Sequence, residues 1–285
     1  MSINISMITR LGQARTFLLV PGDRPDLFES ASRSGTDVVI LDLGSTVSQS
    51  DKTTARASIE GEWQRLQRAD TPVVVRVNSP SGAHGEQDLA WLSLLEAPAG
   101  VVLPKVEHVG QVSFVRQALQ GIPLLPVIES AAGYAGVRQI AADPGVVRLV
   151  LCHPNFMVDT GIAGLEDEPE LSALRFEIAM ATRLSQLAPA VDGATIQISD
   201  MDRLRRDMRR CLRYGFGAKV CIHPSQVEVV HQVCAPREEE LQWALKVLRA
   251  DEAAECGLLQ VDGQLVEIPM VLQARRTLAR AKGPR

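Results

Sequence analysis

Short apolar segments recur along the chain, and each of them ends in a polar or turn-forming residue. They are rich in Val, Ile and Leu with little alternation, which is typical of strands buried on both faces of a parallel sheet. The eight segments are Thr16–Val20, Val38–Leu43, Val73–Val77, Gly100–Leu103, Leu124–Ile128, Val147–Cys152, Ala194–Ile198 and Ala218–Ile222. Amphipathic segments of helical length separate them, so the pattern predicts a closed (β/α)8 barrel, the TIM barrel.

An open, doubly wound sheet is the alternative α/β architecture. Such a sheet is expected to carry a glycine-rich phosphate loop after an early strand, and neither G-x-G-x-x-G nor G-x-x-x-x-G-K-[ST] occurs in the sequence. The barrel is therefore the favoured fold.

The segments after the eighth strand predict a C-terminal helical extension. Helices are expected over 237–255 and 268–281, and Asp262-Gly263 between two apolar runs indicates a hairpin. No linker interrupts the repeat, so we expect a single domain over 1–285, with the barrel at about 15–235 and the tail at about 236–285. We interpret the tail as an oligomerisation element.

Composition narrows the functional class. The chain is 46% hydrophobic and 22% charged with a formal charge of −4, which is ordinary for a packed globular protein and gives no basic field for nucleic acid or anionic lipid. No secretory signal or membrane-spanning run is present, and the five cysteines form no C-x-x-C pair. The expectation is a soluble, cytoplasmic enzyme or binding protein for a small molecule.

Polar residues follow the predicted strands, where a barrel carries its chemistry. The set comprises Asp23, Arg24, Asp42, Arg76, Asn78, Lys105, Glu129, His153, Asn155, Ser199, Asp200 and His223. Arg24 and Arg76 are candidate anion holders, because a guanidinium matches a carboxylate in bidentate fashion. The alternative for each is an ion pair with Asp42, Glu129 or Asp23.

Glu129 ends a very apolar run, where an unpaired carboxylate is costly to bury. It therefore needs a cation, either an arginine or a metal ion. Lys105 is a candidate Schiff-base lysine, although its acidic and arginine companions favour an ion pair. His153 is expected to point at the mouth of the barrel, and His223 is expected to orient a turn at a helix start.

Five segments carry a family resemblance. They are FLLVPGDRPDLFESASRSGTDVVILDL, VVVRVNSP, GVVLPKVE, PVIESAAG and GAKVCIHPSQV. They resemble, in order, the citrate lyase β-subunit-like members of the HpcH/HpaI aldolase and citrate lyase superfamily. The resemblance implies a (β/α)8 barrel that forms homotrimers or homohexamers, with the tail packed on a neighbouring subunit.

The resemblance also implies a carbon–carbon lyase acting on a 3-hydroxyacyl thioester of the citryl-, malyl- or citramalyl-CoA type. The products are a 2-oxo acid and an acyl thioester, and the thiol is that of CoA or of an acyl carrier protein. Carried over by position, Glu129 and Asn155 are the ligands of Mg²⁺ and Arg76 holds the substrate carboxylate. A divalent cation chelated by the 2-oxo acid acts as a Lewis acid.

Three positions depart from the family pattern. Asn155 stands where the family has an aspartate, and Gly44-Ser45 replaces a Glu-Asp pair. Asp159, four residues further on, is an alternative ligand to Asn155. The competing hypothesis is therefore a divergent paralogue that binds an organic acid or acyl-CoA without lyase turnover, or that uses His153 as base in a metal-independent reaction.

The polar residues after the predicted strands and the family resemblance together give the predicted site. Its catalytic residues are Arg76, Glu129, Lys105 and His153, its substrate-binding residues Arg24, Arg76 and Asp42, and its metal ligands Glu129 and Asn155.

Overall fold

The computed structural model describes residues 5–96, 98–253, 259–261 and 264–281. Contacts between residues divide the chain into two compact units, Met1–Val230 and His231–Arg285. The predicted single domain over 1–285 stays a prediction. No helix in the described part of the chain is both long and apolar enough to cross a membrane.

A closed barrel of eight parallel strands forms the first unit, as the apolar pattern predicts. The strands are β1 (Thr16–Pro21), β2 (Val38–Asp42), β3 (Val73–Arg76), β4 (Gly100–Leu103), β5 (Leu124–Ile128), β6 (Val150–Leu151), β7 (Val191–Asp192) and β8 (Ala218–Cys221). Phe17 pairs with Val38 on one side and with Val220 on the other, so β1 closes the barrel between β2 and β8.

Helices alternate with these strands. They are α1 (Ile5–Gln13), α2 (Phe28–Ser32), α3 (Lys52–Arg68), α4 (Ala83–Leu92), α5 (Val109–Ala118), α6 (Ala131–Ala141), α7 (His153–Thr160), α8 (Ser172–Leu184), α9 (Met201–Arg213), α10 (Ser225–Cys234), α11 (Glu238–Ala253) and α12 (Ile268–Ala281). The Ser130 hydroxyl accepts a bond from the Gly133 N–H at 3.1 Å and so caps α6. This cap places Glu129 directly before the helix, at the mouth of the barrel.

The barrel core is built from the strand residues that the sequence pattern identifies. Val38, Val74 and Leu125 have no exposed surface and belong to one apolar cluster that spans the barrel. Because these strands are covered on both faces, β-branched and leucine side chains run through them almost without interruption.

The seventh predicted strand is wrong. The strand lies at Val191–Asp192, whereas Ile196 and Ile198 in the predicted segment Ala194–Ile198 are 59% and 43% exposed. The observed strand contains the buried Asp192, which interrupts the run of apolar residues. The loop after it contains enough apolar residues to resemble a strand in sequence. The sixth strand is also shorter than the predicted Val147–Cys152.

The second unit contains α11, α12 and a two-stranded antiparallel sheet of β9 (Leu259–Val261) and β10 (Gln264–Val266). Val261 pairs with Gln264, which confirms the predicted hairpin, although its turn residues Asp262 and Gly263 lie outside the described residues. The small core of the second unit contains Ala244, Val247, Val271 and Ala274.

Candidate active site

Arg76 and Asp42 form an ion pair at the carboxyl ends of two neighbouring strands. The strand register places the two residues side by side, and Arg76 donates from Nε to Asp42 Oδ1 at 2.6 Å and from Nη2 to Oδ2 at 2.7 Å. Such a bidentate pair fixes the plane of the guanidinium. The structure therefore orients Arg76 at the mouth, where 19% of its side chain is exposed.

The loop after β2 fills the remaining positions of the Asp42 carboxylate. Oδ1 accepts from the Gly44 N–H at 2.6 Å, and Oδ2 accepts from the Thr46 N–H at 2.9 Å and the Thr46 hydroxyl at 2.5 Å. Burial alone would raise the pKa of Asp42, but Arg76 and these donors outweigh it and hold the pKa below its usual value. Asp42 is fully buried and holds Arg76 in place, and its substrate-binding role stays a prediction.

Gly44 has no room for a side chain. A Cβ at this position would lie 2.9 Å from Asp42 Oδ1 and 3.4 Å from Arg76 Nε. A glutamate at position 44 would therefore displace the ion pair.

Glu129 is held by neutral donors. Oε1 accepts from the Lys105 N–H at 2.6 Å, and Oε2 accepts from Asn155 Nδ2 at 2.5 Å. The sequence predicts an arginine or a metal ion as its partner, and no arginine pairs with it within the described part of the chain. The prediction missed that a backbone amide and an asparagine satisfy this carboxylate.

Cys152 lies beside Glu129, and the sequence analysis did not identify it as a site residue. Burial, together with the Glu129 carboxylate, raises the pKa of the Cys152 thiol to about 11. The thiol is therefore protonated at neutral pH. An apolar strand end followed by a cysteine is too common a pattern to single this residue out.

Lys105 contributes its backbone to Glu129 and its side chain to the solvent. Its φ of +54° lies in the left-handed region, which costs energy for any residue other than glycine. Among residues 5–96 and 98–253, its ammonium has no ion-pair partner, so the predicted structural ion pair is wrong. Its side chain is exposed.

The residues around Glu129 fit a weakly held magnesium ion. No group of three or more His, Cys, Asp or Glu side chains with metal-binding geometry is found among the described residues. Glu129 and Asn155 nevertheless converge, and the Asn155 amide can turn its oxygen to the position that its nitrogen takes here. Mg²⁺ commonly uses one or two carboxylates plus water and substrate oxygens, so one carboxylate and one amide oxygen suffice.

Asp159, the alternative ligand, is engaged elsewhere. Its Oδ2 accepts from the Ala131 N–H at 2.8 Å and so binds the first turn of α6. This interaction favours Asn155 over Asp159 as the second ligand.

His153 faces a different part of the mouth. It lines a cavity of about 360 Å³ together with Glu168 and Arg203, and neither Arg76 nor Glu129 lines that cavity. Its Nε2 lies 3.5 Å from Glu168 Oε1, and burial lowers the pKa of His153. The structure thus does not bring His153 together with the other predicted catalytic residues.

A buried charge network extends from the cavity that His153 lines. The sequence analysis did not predict this network. Lys219 donates to Asp192 Oδ2 at 2.9 Å and to the Gly193 carbonyl at 2.7 Å, and both charged side chains are fully buried. Arg175, also fully buried, forms an ion pair with Glu168. The network comprises Glu168, Arg175, Asp192, Asp207, Arg210 and Lys219. An aspartate and a lysine inside adjacent strands were the signal that could have revealed it.

Two further predicted residues lie at the surface. Arg24 is exposed and donates to Asp26 at 2.8 and 2.6 Å, rather than to any of the expected partners. His223 Nδ1 lies 2.7 Å from the Ser225 hydroxyl at the start of α10, which agrees with a turn-orienting role. Two hydrogen-bonded groups lie at the strand ends, one around Arg76 and one around Glu129, and the Glu129 charge raises the pKa of Arg76. We call them together the mouth cluster: Asp42, Ser45, Arg76, Lys105, Glu129 and Asn155.

Comparisons with known proteins agree with this geometry. Residues 15–224 match the HpcH/HpaI aldolase/citrate lyase family, and residues 166–283 match a family of carbon–carbon bond lyases of the TIM-barrel fold. A citrate lyase subunit beta-like protein of Deinococcus radiodurans is 31% identical, with 93% of this chain and 96% of that protein covered. A (3S)-malyl-CoA thioesterase of Cereibacter sphaeroides is 29% identical, with 94% of each covered.

The solved structures give the same result. The crystal structure of protein CitE from Mycobacterium tuberculosis, in complex with magnesium, acetoacetate and coenzyme A, matches with a TM-score of 0.82 and 30% identity. The match covers 95% of this chain and 99% of that one. The predicted resemblance is confirmed: the chain belongs to the HpcH/HpaI aldolase/citrate lyase family.

Proposed function

We propose that the protein is a carbon–carbon lyase acting on a 3-hydroxyacyl-CoA thioester of the citryl, malyl or citramalyl type. It releases a 2-oxo acid and a shorter acyl thioester with the assistance of Mg²⁺. One observation carries the proposal: the strand ends bring an oriented, partly exposed Arg76 to the same mouth as the converging Glu129 and Asn155. A cationic anchor for a carboxylate beside a divalent-metal site is what a 2-oxo acid product requires.

Magnesium would be held by Glu129 and by the side-chain oxygen of Asn155. When bound, it supplies Lewis-acid stabilisation of the negative charge on the 2-oxo acid. The relative from Mycobacterium tuberculosis, which is bound to magnesium, acetoacetate and coenzyme A, supports this assignment.

The chain's own residues bind and orient the reactant. Arg76 holds the substrate carboxylate, and Asp42 keeps the guanidinium planar and fixed, so little ordering is needed when the substrate arrives. The Lys105 N–H holds Glu129 in one orientation. The Lys105 ammonium is exposed and would be available to stabilise the negative charge of an enolate of the departing acyl thioester. Arg24, exposed after β1, remains a candidate contact for an anionic part of the substrate.

Two readouts in one assay test the proposal. We would incubate the protein and Mg²⁺ with malyl-, citramalyl- or citryl-CoA, and follow both the 2-oxo acid as its phenylhydrazone and free thiol with a disulfide reagent. A lyase releases the 2-oxo acid and leaves the thioester intact. Free thiol without 2-oxo acid would instead indicate a thioesterase, the activity named for the Cereibacter relative.

Asn155 favours a second candidate, a divergent paralogue that binds an organic acid or acyl-CoA without lyase turnover. Glu129 is the single carboxylate of the proposed metal site, and its oxygens are already bonded to Lys105 and Asn155. A metal-independent variant with His153 as base also belongs to this candidate. The form without turnover predicts that the protein binds the CoA thioester while neither 2-oxo acid nor free thiol forms.

We also propose a homotrimer or homohexamer in the cytoplasm, with an acyl carrier protein as an alternative thiol carrier to CoA. Light scattering coupled to size-exclusion chromatography tests the oligomeric state. A monomeric mass at micromolar concentration would contradict it.

A further inference from the structure

The donors of Arg76 are only partly used. Nε and Nη2 donate to Asp42, and Nη2 also donates to the Ser45 hydroxyl at 2.6 Å. A guanidinium has five N–H groups, and the two on Nη1 have no partner within the described part of the chain. Arg76 therefore presents its Nη1 edge to the mouth.

Ser45 has an unused donor at the same place. Its side chain is exposed, and its hydroxyl makes its one hydrogen bond among the described residues with Arg76. Because a guanidinium can only donate, the Ser45 oxygen accepts this bond and its own proton is free to donate elsewhere. The neighbouring Thr46 differs, since its hydroxyl is committed to Asp42.

Among the described residues, no carboxylate accepts a hydrogen bond from Arg76 Nη1 or from the Ser45 hydroxyl. Asp42 Oδ1 already accepts from Gly44 and Arg76, and Oδ2 accepts from Thr46 and Arg76. Gly44 leaves no acidic side chain beside them. What remains is a pair of adjacent donors, one of them on a cation, and this pattern matches the two oxygens of a carboxylate.

We propose that Ser45 is a specificity-determining residue, whose hydroxyl binds a substrate carboxylate together with Arg76 Nη1. The proposal rests on the proposed function for the identity of the substrate and deepens it by assigning the carboxylate anchor to two residues. A negatively charged side chain at position 45 would accept from Arg76 but could not donate, and it would repel the ligand.

The test measures binding by isothermal titration calorimetry with two probes, oxaloacetate in the presence of Mg²⁺ and malonate without metal. Because Ser45→Ala removes one exposed hydrogen bond to a charged group, we expect it to weaken the binding of oxaloacetate about 5-fold. Ser45→Asp should weaken it about 30-fold or more, because it removes the donor and adds a like charge. Ser45→Thr keeps the hydroxyl and should stay within about 2-fold.

Gln49→Glu is the matched control for charge, because it adds one negative charge to an exposed position of the same loop. Its affinity for both probes should stay within about 2-fold, since surface charges are screened. Equal affinities of wild type, Ser45→Ala and Ser45→Asp for both probes would overturn the proposal.

The two probes separate this inference from the proposed function. Malonate affinity that depends on Ser45, without any binding of oxaloacetate and Mg²⁺, would support the carboxylate site and contradict the lyase. Oxaloacetate binding that is insensitive to Ser45 would leave the lyase standing and overturn the role of Ser45.

Discussion

Two charged regions of the barrel differ in whether a ligand can reach the hydrogen-bonding atoms that their side chains leave unused, since those of the second region, such as Asp192 Oδ1, are buried. In the mouth cluster, Arg76, Ser45 and Lys105 keep donors that no described residue uses. In the buried charge network, Lys219 pairs with Asp192 and Arg175 pairs with Glu168, all of them buried. Charge alone therefore does not mark a functional site. Unused hydrogen-bonding capacity at a partly exposed position does.

Asp192→Asn breaks the network at its most buried pair and should cause the largest loss of unfolding free energy. The change leaves the fully buried Lys219 without its counter-charge, which is expected to destabilise the fold by about 3–5 kcal/mol. Urea denaturation measures the loss of unfolding free energy. Asp202→Asn, in an exposed pair with Arg205, is the control. Equal urea midpoints for the two variants would mean that the buried pair stabilises the fold no more than the exposed one.

Arg76→Lys should damage the mouth cluster chemically while leaving the fold largely intact. A lysine keeps the charge but cannot form the bidentate fork with Asp42 or present a fixed Nη1 edge. We expect kcat/KM to fall about 100-fold, equivalent to about 2.7 kcal/mol. Steady-state kinetics of 2-oxo acid release measure it. Arg65→Lys, in an exposed ion pair with Glu29, should leave kcat/KM unchanged.

Asn155→Asp should strengthen Mg²⁺ binding in the mouth cluster, because it adds a second carboxylate to the proposed metal site. Because Mg²⁺ prefers charged oxygen ligands, its affinity should rise about tenfold, or about 1.4 kcal/mol. Calorimetric titration with Mg²⁺ checks the gain. An unchanged affinity, or a gain matched by Gln49→Glu, would remove Asn155 from the metal site.

Acid should weaken both regions together. The pKa of Asp42 and that of Asp192 are lowered on folding, because cationic partners outweigh the opposing effect of burial. Their stabilisation is therefore complete above the usual aspartate pKa of about 4 and is lost as the pH falls through the lower folded values. Unfolding free energy measured from pH 8 to 3 should decline below about pH 4.

Asp26→Asn gives the smallest expected effect and serves as the surface reference. Its pair with Arg24 is exposed, and such pairs contribute little. The variant should show the wild-type dependence of stability on pH. A clearly different acid profile would mean that the surface pair matters as much as the buried ones.

The apolar pattern predicted the barrel because its strands are buried on both faces. Five of the first six strands and the last agree closely, and Glu129 and Arg76 were found because polar residues after buried strands lie at the mouth. β7 was misplaced because Asp192 breaks its apolar run. The partners of Asp42, Lys105 and Cys152 depend on loop conformations and distances between strands, which residue spacing does not encode.

The rate of 2-oxo acid release by Glu129→Gln tests most directly that the chemistry belongs to the mouth cluster. The variant keeps the side-chain shape but removes the only carboxylate of the proposed metal site. The rate per folded molecule, with Mg²⁺ and a 3-hydroxyacyl-CoA thioester, should fall at least about 100-fold. Glu168→Gln, in the buried network, should lower stability while each folded molecule keeps its rate. An unchanged rate in Glu129→Gln would show that the chemistry does not depend on the Glu129 carboxylate of the mouth cluster.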